Sequence, residues 1–273
     1  MRLGRIPYVN CLPVYGAIDR GVTSVEAELI TGTAAELNDL LAAGELQVSV
    51  VSAVEYARNA SAYHLLPDLA ISCDGPVHSV LLFSRVPVGE LDDAPLLLTA
   101  SSRTSVLLLE LLCRHRWKVT PRVATVRAEA MDLGALEGLP HDAVLVIGDA
   151  ALHLAASGRY PHVIDLGAAW KEWTGLPFVF AVWAARRDAN PAAVRRIHAT
   201  LLRSREWGLA HLDLLAQMAA DQTGIALDTC QAYLADLDYA LSYRHLAGLT
   251  DFFRRLAQDG LVPDGSLSFL SAA

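Results

Sequence analysis

The chain predicts a two-lobed α/β protein, and three observations carry that expectation. Short β-branched apolar runs alternate with helix-patterned segments, as in mainly parallel sheets joined by crossover connections. Two of these units, VSVVSAVEYA (48–57) and VLVIGDAALH (144–153), share an apolar run, a small or polar turn and a helix start, either as an echo between two lobes or as any two strand–helix units would. From Asn190-Pro191 onward the pattern changes to long 3.6-residue stripes, which read as helices packed on the first lobe. We expect residues 1–83 with 184–273 to form one lobe and 84–183 the other, with a ligand cleft between them.

The elements follow in order. An apolar strand runs into RIPYVNCLP (5–13), where Pro13 is placed to start a helix. Asn10 either caps that helix or is presented by the turn. VEAELIT (25–31) reads as a strand, TAAELNDLLAAGE as a helix ended by Gly44, and QVSVVSAVEYARN as a strand entering a helix at Ser52. Leu96–Thr99 forms the strand of PLLLTASSRTSVLLLELLCRHRW, followed by a polar turn and a helix, and HDAVLVIGDAALHLAASG repeats that plan. Late helices are expected over 190–224, from Asp228 to Tyr243 and from Leu249 to Gly260.

Composition narrows the function. The chain has 273 residues, 53% hydrophobic, which suffices for a large core. Its net charge of -8 argues against a nucleic-acid surface. No apolar run reaches the roughly 18 residues of a membrane span, since AVLVIGDAALHLAA is broken by Asp149. The N-terminus shows no signal-peptide pattern, so a cytoplasmic protein is expected. Four scattered cysteines, Cys11, Cys73, Cys113 and Cys230, form no CxxC pair and read as buried thiols. GxSxG, P-loop, GxGxxG and HExxH motifs are absent. No metal or other cofactor is expected, and exhaustive chelation should leave the protein's function intact; loss restored by one specific divalent ion would refute this.

The candidate site residues sit at strand-to-helix turns, where free N–H groups and the helix dipole favour anions. They are Asn10, Ser52, the stretch Ser101, Ser102, Arg103, Thr104 and Ser105, and the pair Gly148 and Asp149. One serine of SSRTS is a plain cap; the other hydroxyls and Arg103 suit a carboxylate or phosphate. Ser79, where a loop enters VLLFS, is either a strand-edge serine or a ligand donor. Asp149 either orients a donor or caps its helix, and Trp170 and Trp173 either pack a linker or wall the cleft. The residues alone reach a two-lobed protein that binds a small anion.

GRIPYVNCLPVY, ISCDGPVHSVLLFSR, SSRTSVLLLELL, VIGDAAL and DLGAAWKEWTGLPFVFAVWAAR together resemble the chorismate dehydratases of the futalosine route to menaquinone, across residues 3–186. The resemblance implies a type II periplasmic-binding-protein-like fold and the dehydration of chorismate to 3-(1-carboxyvinyloxy)benzoate. For that reaction in a donor-rich, base-poor site we infer that the substrate's own side-chain carboxylate accepts the proton, that Asn10 positions either that arm or the departing hydroxyl, and that the other turns bind substrate. A sister family makes 1,4-dihydroxy-6-naphthoate on the same fold. That family carries an Ile-His-Glu turn where this chain has Ile147-Gly148-Asp149.

Overall fold

The computed structural model describes residues 1–99, 102–126, 136, 138–263 and 266–271. The chain divides into two compact units: unit 1 is Met1–Ser72 with Val179–Ala273, and unit 2 is Cys73–Phe178.

In unit 1, β1 (Arg2–Arg5), β2 (Glu28–Thr31), β3 (Val48–Ser52), β4 (Tyr63–Cys73) and β10 (Phe178–Arg186) form a sheet of order β2-β1-β3-β10-β4. All five residues of β3 are buried, as a central strand covered on both faces requires. Between the strands lie α1 (Leu12–Asp19), α2 (Ala34–Ala42) and α3 (Ala53–Arg58). α2 begins with a capping box, in which Thr33 and Glu36 each bond the other's backbone N–H. Tyr15 fastens α1 to the sheet: its hydroxyl donates to Gly4 O at 2.9 Å and accepts from Trp183 Nε1 at 3.0 Å.

The late helices are α7 (Pro191–Leu209), α8 (Leu212–Thr223), α9 (Leu227–Asp236) and α10 (Tyr243–Gln258). Asn190 caps α7 by accepting from Ala193 N, with Pro191 in its first turn. The helix expected from Asp228 to Tyr243 stops at Asp236 instead. The residues after it are extended, and Asp238 pairs antiparallel with Ser72 beside β4. The chain's end pairs with the same strand at Leu65, through Phe269, and so screens backbone groups that would otherwise template aggregation.

His245 Nε2 donates to Asp238 Oδ2 at 3.2 Å, and this hydrogen bond holds that carboxyl below the usual range. A depressed carboxylate contributes stability above its unfolded value, near ~3.9. That contribution is lost as pH falls through the lower folded value. Asp238→Asn should therefore flatten the acid limb of a stability-versus-pH profile, measured by urea titration; a profile still as steep as the parent's would refute the linkage.

Unit 2 repeats the strand–helix plan. Its sheet, ordered β7-β6-β8-β5-β9, comprises β5 (Val80–Ser84), β6 (Pro95–Thr99), β7 (Arg122–Val126), β8 (Ala143–Ile147) and β9 (His162–Asp165). Its helices include α4 (Arg103–Leu111), α5 (Asp149–Ala156) and α6 (Leu166–Thr174). Leu81, Phe83, Leu97, Val144, Val146, Ala151 and Leu154 form a core on one face of this sheet. The sheets are mixed. β1 runs parallel to β2 and β3, and β6 to β7 and β8, whereas β5 runs antiparallel to both β8 and β9, and β10 antiparallel to β3.

Candidate active site

In unit 1, β1 and β3 lie parallel with Gly4 opposite Ser49, so their carboxyl ends reach the same edge of the sheet. There the chain enters a 3-10 turn (Val9–Cys11) leading to α1, and the start of α3. Asn10 lies inside the 3-10 turn. The capping positions belong to Tyr8 and Cys11, and neither makes a side-chain cap bond, so Asn10 is not the helix cap. Its Oδ1 is buried and has no hydrogen-bond partner among the described residues. A buried acceptor left unpaired costs about 1–3 kcal/mol, and such a group calls for an explanation. Ser52 is an ordinary cap, 7% exposed, accepting from Glu55 N at 3.3 Å.

In unit 2 the register brings several turns to one edge. β6 and β8 are parallel with Leu98 opposite Leu145, which places the starts of α4 and α5 side by side. β5 is antiparallel to β8, with Val80 opposite Ile147, so Ser79 enters from the same edge. The Ser79 carbonyl accepts from Gly148 N at 2.7 Å. Gly148 takes φ 67° and ψ -150°, a backbone shape that favours glycine. Asp149 occupies the first helical position after it, past the capping residue.

The serine-rich turn is less open than the sequence suggests. Ser102 caps α4, accepting from Ser105 N at 3.2 Å, and the two hydroxyls bond each other at 2.9 Å. Thr104 and Ser105 are buried, and Arg103 is exposed. Ser101 lies outside the described residues. What α4 offers an anion at this edge is chiefly the N–H groups of its first turn.

Sequence reasoning missed Asp165, at the end of β9. It accepts from Ala168 N at the start of α6, and from the backbone of Val77 and His78. The only signal for it was a helix-capping residue type just before a helix pattern. Trp170 is fully buried, donates to Pro177 O at 3.2 Å and packs on Phe178, which makes it a core residue of unit 2.

Two of the thiols are poor nucleophiles. Burial, with the Asp165 carboxylate adding to it, pushes the Cys73 thiol up to about 12, and burial beside Glu110 does the same to Cys113. All four cysteines are buried and free. Among the described residues no group of three His, Cys, Asp or Glu side chains is arranged to hold a metal ion. No helix among them is long and apolar enough to cross a membrane.

With strand-end turns at a sheet edge in each unit, the architecture is that of a periplasmic-binding-protein-like α/β protein. An Archaeoglobus fulgidus protein superposes with a TM-score of 0.80 at 19% identity, covering 96% of this chain and 98% of its own. The alkanesulfonate-binding protein SsuA of Xanthomonas axonopodis pv. citri superposes at 0.70 with 15% identity, over 98% and 95%. The chain belongs to the menaquinone biosynthesis family, whose model matches residues 1–258 and so extends through the late helices. A chorismate dehydratase of Thermus thermophilus is 35% identical over 269 residues, which is 92% of this chain and 95% of that protein. A 1,4-dihydroxy-6-naphthoate synthase of the same organism is 25% identical over 251 residues, 90% and 84% of the two chains.

Proposed function

We propose that this protein is a chorismate dehydratase, a cytoplasmic hydro-lyase that converts chorismate to 3-(1-carboxyvinyloxy)benzoate without a metal or other cofactor. The observation that carries the reading is the buried Oδ1 of Asn10 at a strand-to-helix turn, which has no hydrogen-bond partner among the described residues. The extended identity with a chorismate dehydratase stands beside it.

The chemistry follows from what that oxygen can accept. Chorismate at neutral pH is a dianion with two carboxylates, a vinyl ether and one hydroxyl, so its single hydrogen-bond donor is the C4 hydroxyl. An acceptor with no partner among the described residues suits that hydroxyl, which is also the leaving group. In the reaction the C3–H bond breaks, its electron pair enters the ring, and the C4–O bond breaks as the ring becomes aromatic. The C3 proton is vinylogous to the ring carboxylate. Donors around that carboxylate therefore stabilise the charge that develops on proton loss. The enolpyruvyl carboxylate of the substrate takes the C3 proton and passes it to the departing hydroxyl, so that water leaves. The protein's part is to fix the conformer in which this transfer is short.

The residues proposed to serve substrate binding are Asn10, Ser52, Ser79, Ser101, Ser102, Arg103, Thr104, Ser105, Gly148 and Asp149, of which Ser101 lies outside the described residues. Ser102 and Ser105 already satisfy one another, so their share is to hold the first turn of α4 in shape for its N–H groups to bind a carboxylate. The sister naphthoate synthase activity is disfavoured at Gly148, whose φ of 67° with ψ of -150° is a backbone shape that is essentially confined to glycine and would strain a histidine.

The test is to mix purified protein with chorismate and identify the product by mass spectrometry. The expected product has lost one water and is aromatic. Chorismate that binds and returns unchanged would indicate a receptor on the same fold and overturn the proposal.

A further inference from the structure

We propose that Asp165 is a positioning residue for the reaction, holding a strained turn that aims Ser79. The inference rests on the reading of Ser79 as a substrate contact. A capping aspartate needs one bond, and Asp165 has it: Oδ1 accepts from Ala168 N at 3.0 Å at the start of α6. The rest of the carboxylate serves a different segment. Val77 N donates to Oδ1 at 3.1 Å and to Oδ2 at 3.0 Å, and His78 N donates to Oδ2 at 2.7 Å.

The segment so held is unusual. Ser79 N donates back to Val77 O at 2.8 Å, with His78 between them at φ 60°. A three-residue turn with positive φ at its centre is the rare, strained form of the γ-turn. Strain of this kind persists only where the surroundings over-determine it, and it clusters at functional sites. Past the strained residue comes Ser79, 3% exposed, whose carbonyl also accepts from Gly148 N at 2.7 Å.

The carboxylate is itself fixed in place. A Cβ at Gly167 would lie 2.6 Å from Cys73 Sγ and 2.7 Å from Gly75 O, so only glycine lets the first turn of α6 close on the start of this loop. Cys73 Sγ donates to the same Gly75 carbonyl at 3.1 Å. Asp165 thus joins α6 to the loop, and without its second oxygen His78 is free to relax to negative φ and carry Ser79 away.

Asp165→Asn separates the two roles. Asparagine remains a good cap, but its amide nitrogen only donates, so the bond that His78 N makes to the second oxygen is lost. The experiment measures rate against chorismate concentration for Ser79→Ala, Asp165→Asn, the double variant, and Asp165→Asn with His78→Gly. Thermal melts confirm the fold, and Asp165→Ser serves if the asparagine variant does not fold. We expect Ser79→Ala and Asp165→Asn each to raise KM about tenfold or more, with kcat changed less. The double variant should be no worse than Asp165→Asn, and glycine at 78, which takes positive φ without strain, should restore KM. If Ser79→Ala leaves KM unchanged, the reading of Ser79 fails and the inference with it. If Ser79→Ala is impaired but the two penalties multiply, or glycine does not rescue, Ser79 stands as a contact and the role given to Asp165 is overturned.

Discussion

Asn10→Ala is expected to lower turnover of chorismate by about a hundredfold or more, the scale seen when a reacting group loses its orientation. The fold should be spared. Asn10 caps neither the 3-10 turn nor α1, so the loss of about 1 kcal/mol that follows removal of a cap does not apply. Its Oδ1 makes no bond within the described protein, and removing an unpaired acceptor does not cost a hydrogen bond. A residue that contributes little to stability and much to rate is what a substrate contact predicts. Rate curves and thermal melts on the same samples check both halves. A folded Asn10→Ala protein with near-parental turnover would remove Asn10 from the reaction.

Gly208→Ala should have the largest effect on stability. A Cβ at Gly208 would lie 2.1 Å from Pro13 O and 2.7 Å from Pro13 C and Cα. These are backbone atoms of α1, so no side chain can swing aside, and α7 and α1 must part. Overpacking of this kind costs about 1–3 kcal/mol and occasionally more. For a chain of this size each kcal/mol moves Tm by roughly 2–4 °C. Because α1 follows directly on the Asn10 turn, turnover should fall even where the variant remains folded. Gly89→Ala is the control: a Cβ there meets nothing within 4 Å, and the change expected is under about 0.5 kcal/mol. Equal melting of the two variants would refute the close approach of α7 to α1.

Much of this was legible in the sequence because it is local. The alternation of apolar runs with helix patterns located the strands, and Pro13, Ser52 and Asn190 marked helix starts that the structure contains. Strand direction was not legible. VLLFS and FVFAVWAAR are buried apolar runs that read alike in parallel and antiparallel company, and only pairing partners distant in sequence reveal that β5 and β10 are reversed. The end of α9 was misread because Leu237, Tyr239 and Leu241 extend the apolar pattern. Their burial alternates with that of Asp238 and Ala240, a period of two that belongs to extended chain. At the candidate site, the turns could be located but not how their hydrogen bonds are spent. Ser102 and Ser105 bond each other, and Asp165 reaches a loop 87 and 88 residues earlier, which no local pattern announces.

The most direct measurement follows chorismate labelled with deuterium at ring C3 by nuclear magnetic resonance in the presence of the purified protein. Dehydration across C3 and C4 predicts that the ring signals become aromatic, that water is lost, and that the product carries no deuterium, since C3 retains only its oxygen substituent. Labelled chorismate recovered unchanged after prolonged incubation with folded protein, or a product that keeps the deuterium at C3, would contradict the account.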